Sequence, residues 1–198
     1  MRMFIKSAAF IVLFISYSGL LTSQTSAKYL KAKENPKFRK GFIIEDDSSI
    51  TDGLVRGNLT DDRKLHVFVT FISEDGKKKN YYPWHIKGFG FDKVRFSSDE
   101  KSFHKLLISG NLVNLYRGTT DFQVNVASSS AADKTKATEV YYLKKPSDDS
   151  FVLVEKDNFK TQMSKYFKDC RTLAGYISEK KLRFRDIRKI VTLYNECD

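Results

Sequence analysis

An α+β fold with strands first and helices last follows from three features of this 198-residue chain. Between residues 41 and 155, short apolar runs alternate with polar residues and are punctuated by turn residues, the period-two signature of strands. Between residues 156 and 198, apolar residues recur at spacings of three and four, the signature of amphipathic helices. The two patterns never interleave, which excludes alternating βαβ units. They predict an antiparallel β meander, sandwich or open barrel followed by a C-terminal helical segment packed on the sheet.

The order of elements begins with residues 1–27. Arg2 and Lys6 precede an apolar stretch from Ala8 to Leu21, and Thr25-Ser26-Ala27 supplies small residues before Lys28. That three-part layout reads as a secretory signal peptide. Ser7, Ser16, Ser18 and Gly19 interrupt the run, which falls short of the roughly 20 apolar residues a spanning helix needs. No later stretch is apolar enough to span, so the expected product is exported, to a periplasm, the outer-membrane periphery or outside the cell. Residues 28–40 are basic, carry Pro36 and lack periodicity, which reads as a lead-in to the first strand.

Phe42-Ile43-Ile44 and Leu54-Val55, separated by Asp46-Asp47-Ser48-Ser49, predict a hairpin. Leu65 to Ile72 is the strongest strand pattern, apolar on both faces and therefore expected near the centre of the sheet. Asn80-Tyr81-Tyr82 should pair back across the Glu74–Lys77 turn, and Gly88 and Gly90 mark a bend in the aromatic segment that follows. Phe103–Ser109, Leu112–Arg117, Thr138–Lys144 and Phe151–Glu155 complete the β region, with Ala127–Ala137 expected to be a polar surface loop. An amphipathic helix capped by Asp157 or Asn158 carries Phe159, Met163, Tyr166 and Phe167. A short helical turn at Leu173–Ile177 and a final helix bearing Phe184, Ile187, Ile190, Val191 and Tyr194 end the chain.

Cys170 and Cys197 are the only cysteines. In a chain sent to an oxidising compartment they are expected to form a disulfide fastening the last helix to its neighbour. A redox pair would want Cys-x-x-Cys and a metal site would want nearby histidines, and neither pattern is present.

The formal charge is +11 at pH 7, and removal of Arg2 and Lys6 leaves the remainder strongly basic. Such a field favours an anionic envelope component or another envelope protein as partner, and export disfavours nucleic acid. His66, His85 and His104 lack zinc-site spacing, and Asp46-Asp47, Asp61-Asp62 and Asp148-Asp149 sit among turn residues where aspartate bonds the backbone. No metal or cofactor is expected. No nucleophile elbow, phosphate loop or dinucleotide fingerprint occurs. The candidate binding surface is aromatic and basic: Tyr81, Tyr82, Trp84, Lys87 and Phe89, with Lys77-Lys78-Lys79 beside them. Ordinary strand alternation, apolar inside and lysine outside, gives the same composition.

Gly41-Phe42-Ile43-Ile44, Thr51 to Gly57, Ile86 to Gly90, Phe151 to Asp157 and Ile187 to Cys197 together resemble an uncharacterised secreted protein family of Bacteroidetes-type bacteria. The resemblance implies export from a Gram-negative cell and no known activity. The expected function is therefore that of an exported, envelope-associated binding or scaffolding protein. The alternative is a small secreted hydrolase of a glycan or other anionic polymer, which would gather histidines and acids in one cleft.

Overall fold

The computed structural model describes residues 25–57, 62–120 and 138–197. The rest of the signal-like segment and the Ala127–Ala137 stretch lie outside them. The chain forms one ten-stranded sheet with every neighbouring pair antiparallel. Its strands are β1 (Phe38–Ile44), β2 (Ile50–Arg56), β3 (Val69–Ser73), β4 (Lys78–Tyr81), β5 (Gly88–Phe91), β6 (Val94–Ser98), β7 (Phe103–Ile108), β8 (Asn114–Thr120), β9 (Thr138–Lys144) and β10 (Val152–Leu153). Helices are α1 (Ala27–Lys33), α2 (Phe159–Tyr166), α3 (Arg171–Ser178) and α4 (Ile187–Asn195). The expected α+β arrangement holds, with an open ladder of order β10-β9-β8-β7-β6-β5-β1-β2-β3-β4.

Two meanders, β1 to β4 and β5 to β10, are joined where β5 pairs with β1. The β4–β5 link demands that the joined sheet coil. Across a flat sheet it would cross four strand spacings of about 4.8 Å, or about 19 Å. Tyr81 ends β4 opposite Val69, below the level of Arg39, whereas Gly88 opens β5 opposite Ile44. That adds roughly 23 Å along the strands, while the seven backbone steps from Tyr81 to Gly88 reach at most about 24 Å. Three of the residues are further shortened into a 3-10 turn, Pro83–His85. A flat sheet cannot be bridged this way, and the curvature encloses a core of Ile43, Val55, Phe71, Phe89, Phe91, Phe96 and Phe103, plugged by Leu65 and Ile86.

On the same sheet face, at the β8–β10 end, α2, α3 and α4 bury Met163, Phe167, Leu173, Ile177, Ile190 and Val191 against Leu115 and Leu143. Each helix contributes one apolar stripe, as the spacing of three and four requires. The Cys170–Cys197 disulfide forms with a Cα–Cα distance of 6.1 Å and links the start of α3 to the end of α4.

Three local expectations change. The lead-in 28–40 holds α1 and the start of β1, because Ser26 caps the helix by accepting the Tyr29 N–H (3.1 Å) and Tyr29 buries against Leu54 and Ile72. That contact uses the face of β2 and β3 opposite the main core. The Leu65–Ile72 strand begins only at Val69, since Arg63–His66 wind into a 3-10 turn. There His66 Nδ1–H donates to the Phe103 carbonyl (2.6 Å), and local winding that buries Leu65 overrides β propensity. Its place is also next to the edge strand β4 rather than central.

Candidate functional site

A cleft of about 640 Å³ opens where four connections meet: the β1–β2 turn, the β4–β5 link, the β6–β7 turn and the β9–β10 loop. It is lined by Asp46, Trp84, Lys87, Asp99, Glu100, Tyr142, Lys144, Asp149 and Phe151, among others. Each wall is built by short-range bonds that the local sequence specifies.

In the link, the His85 N–H donates to the Tyr82 carbonyl (2.9 Å) and the Tyr82 N–H donates to His85 Nδ1 (3.2 Å). This reciprocal closure, with Pro83 pre-set for the first helical position, fixes the Tyr82 and Trp84 rings. They stack with centroids 4.9 Å apart and planes 9° from parallel, and His85 meets both edge-on. Trp84 remains 59% exposed. A large aromatic left in water at the mouth of a cleft is unsatisfied apolar surface, unlike the buried rings behind it.

In the β6–β7 turn, Asp99 Oδ1 accepts the N–H groups of Lys101 (3.0 Å) and Ser102 (2.7 Å). Ser98 Oγ accepts the Glu100 N–H (2.9 Å) and donates to the Pro83 carbonyl (2.6 Å), tying turn to link. Glu100 takes a left-handed backbone conformation, φ 70°. Behind Asp99 lies His104, 1% exposed, its Nε2 2.8 Å from Asp99 Oδ2 and its Nδ1 without a partner among the described residues. Gly118 makes room for that ring, since a Cβ there would come 2.7 Å from Nδ1. Burial opposes the charge on Asp99, yet His104 and the N–H groups of Ser102 and Lys101 outweigh it and hold the carboxyl below its ordinary range.

The third wall carries Tyr142 and Phe151, which pack on His104 at centroid distances of 4.3 Å and 4.8 Å. Burial raises the Tyr142 hydroxyl pKa, with Asp99 adding to the effect. Lys144 Nζ sits 4.9 Å from the Phe151 ring centroid, and Lys87 Nζ donates to Ser48 Oγ (2.9 Å).

The five residues expected at a binding surface separate. Tyr82, Trp84 and Lys87 gather at the cleft and its rim. Tyr81 is half-buried against Phe71, with Lys79 over its ring. Phe89 belongs to the core, fully buried and stacked on Phe96 at 4.7 Å, because β5 is an interior strand whose alternation sends it inward.

Two acids of the cleft, Asp46 and Asp149, stood in the sequence within turn pairs, and the structure divides the labour inside each pair. Asp47 Oδ1 accepts the Ser49 N–H (2.8 Å) and Asp148 Oδ1 accepts the Ser150 N–H (3.2 Å) and hydroxyl (2.8 Å). Those bonds to serine lower both carboxyl pKa values. Their neighbours Asp46 and Asp149 line the cleft instead. Asp99, Glu100, Tyr142 and Phe151 carried no sequence signal, since nothing local marks which strand ends will meet. The three histidines do not converge: His66 is on the core face, His85 in the link and His104 behind Asp99. Among the described residues no three His, Cys, Asp or Glu side chains are grouped to hold a metal ion.

Comparison of the chain with protein-family models, with curated proteins and with solved structures returned no match.

Proposed function

We propose that the chain is an exported, envelope-associated binding protein and that the cleft beside Trp84 holds its ligand, a polar and hydroxyl-rich molecule such as a glycan. The observation that carries this reading is the exposed indole stacked on Tyr82 at the mouth of a polar cleft. An aromatic plate covers the apolar face of a pyranose while carboxylates and ammonium groups bond its hydroxyls. Export is supported by the signal-like N-terminus and by the disulfide, a bond that persists in oxidising compartments. Among the described residues no helix is long and apolar enough to cross a membrane. The basic surface outside the cleft suits an anionic envelope component or a second envelope protein.

A glycan hydrolase would use the same cleft, and it would need one carboxyl raised to act as general acid. Asp99 is shifted the other way, toward accepting hydrogen bonds. The binding reading is tested by titrating the purified protein with neutral and charged oligosaccharides while following tryptophan fluorescence. Trp84 is the only tryptophan, so a saturable change reports contact at this site. Calorimetry on Trp84→Ala should then show binding lost with the melting temperature unchanged. Turnover of any bound oligosaccharide, seen as new reducing ends, would replace this reading with the hydrolase.

A further inference from the structure

Resting on the cleft as the ligand site, we infer that it selects a saccharide bearing protonated amines, of the glucosamine type, in spite of the basic character of the whole chain. The lining opposes the global charge. Four carboxylates, Asp46, Asp99, Glu100 and Asp149, face two ammonium groups, Lys87 and Lys144. Both lysines are already engaged, Lys87 with the Ser48 hydroxyl and Lys144 over the Phe151 ring. Asp46, Glu100 and Asp149 make no ion pair among the described residues. By contrast, other acids of the fold are spent on structure: Asp62 holds Lys105 and Arg117, and Asp169 accepts the Tyr194 hydroxyl.

A second, independent observation concerns His104. It is buried to 1% exposure, its ring nitrogens make no aligned hydrogen bond, and its Nε2 edge is directed at Asp99 on the cleft wall. Burying an imidazole this deeply without an aligned hydrogen bond costs stability, which the Asp99 carboxylate 2.8 Å away offsets. Besides packing against the Tyr142 and Phe151 rings, it seats the Asp99 carboxylate on the cleft wall. The carboxylates would take the ammonium and hydroxyl groups, and the Tyr82–Trp84 stack would cover the sugar ring or meet the amine as a cation–π partner. The nearly parallel rings offer a flat plate, which matches a pyranose face better than an irregular peptide.

The test is a fluorescence titration of the full mature protein at a pH of about 5.5, where carboxylates are ionised and sugar amines protonated. The probes are the glucosamine tetramer, the N-acetylglucosamine tetramer, tetragalacturonate and tetralysine. The expected result is that the glucosamine tetramer binds roughly tenfold more tightly than its acetylated form, the scale of one or two half-exposed charge pairs. The exposed-side double variant Glu100→Gln/Asp149→Asn should erase that tenfold preference by weakening the glucosamine tetramer about tenfold more than the acetylated one, and Asp99→Asn should shift the preference in the same direction. Equal or tighter binding of the acetylated tetramer or of tetragalacturonate overturns the amine preference and leaves the cleft as a glycan site. Tetralysine binding with no sugar bound overturns the saccharide and makes the ligand a basic peptide. Silence from all four probes overturns the cleft reading itself.

Discussion

Removing the disulfide should cost this protein about 3.5 kcal/mol. Cys170 and Cys197 are separated by 27 positions, and the loss of loop-closure entropy from an unfolded chain crosslinked at that length gives this figure at 25 °C. The bond encloses α3 and α4, so its removal leaves the folded contacts of Ile177, Ile190 and Tyr194 in place and frees the denatured state. Tyr194 still donates to Asp169 (2.6 Å) at the same junction. For a domain of this size the loss corresponds to a fall in melting temperature of about 7–14 °C. The measurement is urea unfolding of Cys170→Ser/Cys197→Ser beside the wild type, oxidised and reduced, with far-UV dichroism before denaturant is added. The reduced wild type and the double variant should agree within about 1 kcal/mol, with unchanged helical signal. A difference from the oxidised protein below about 1 kcal/mol would refute the entropic reasoning, and so would helix loss without denaturant.

Asn195→Ala should destabilise by about 2–3 kcal/mol, because Asn195 Oδ1 accepts the Leu112 and Val113 N–H groups (2.9 and 3.0 Å) and its Nδ2 donates to the Val113 carbonyl (2.9 Å), which has no other escape at a fully buried residue. Hydrogen exchange at Leu112 and Val113 should accelerate in that variant, and unchanged exchange would show that water replaces the clamp. Stability should also fall with acid in two stages. Burial pushes His66 below its ordinary pKa of 6.5, despite its bond to Phe103, so the unfolded chain binds the proton first and stability declines as pH drops below about 6.5. Asp62, opposed by burial but held down by Lys105 and Arg117, and Asp99 lie below their ordinary 3.8. Their contribution is complete above that value and is lost as pH falls through the lowered folded-state values. Denaturant midpoints measured from pH 7 to 3 should show both stages, and His66→Gln should remove the upper one alone.

Much of the fold was legible because it rests on local rules. The β1–β2 hairpin, the β3–β4 turn, the meander from β7 onward and the C-terminal amphipathic helices each follow from period and turn chemistry over a few residues, whereas β6 (Val94–Ser98) was not read as a strand. The 63–66 winding was not legible, because Leu65 and His66 satisfy a strand pattern as well as they fill the gap above Phe96 and Phe103. Nor was α1, a seven-residue helix that depends on a cap and on Tyr29 reaching Leu54 and Ile72 across the chain. Of the site, Trp84, Tyr82 and Lys87 were legible because one short link carries them all.

By itself the sequence determined the class of fold, the succession of strands then helices from β1 onward, the crosslinked pair and the turn role of Asp47 and Asp148. These depend on spacing and composition, which one chain displays directly. Only the tertiary structure decided that the β4–β5 link must fold over a coiled sheet, that Phe89 lies inside, and that Asp46, Asp99, Glu100 and Asp149 share a cleft. Strands far apart in sequence meet through registers and curvature that no local pattern records. The charge lining a cleft is therefore set by which loops the fold brings together, and in this one four acids outnumber two lysines although the chain as a whole is basic.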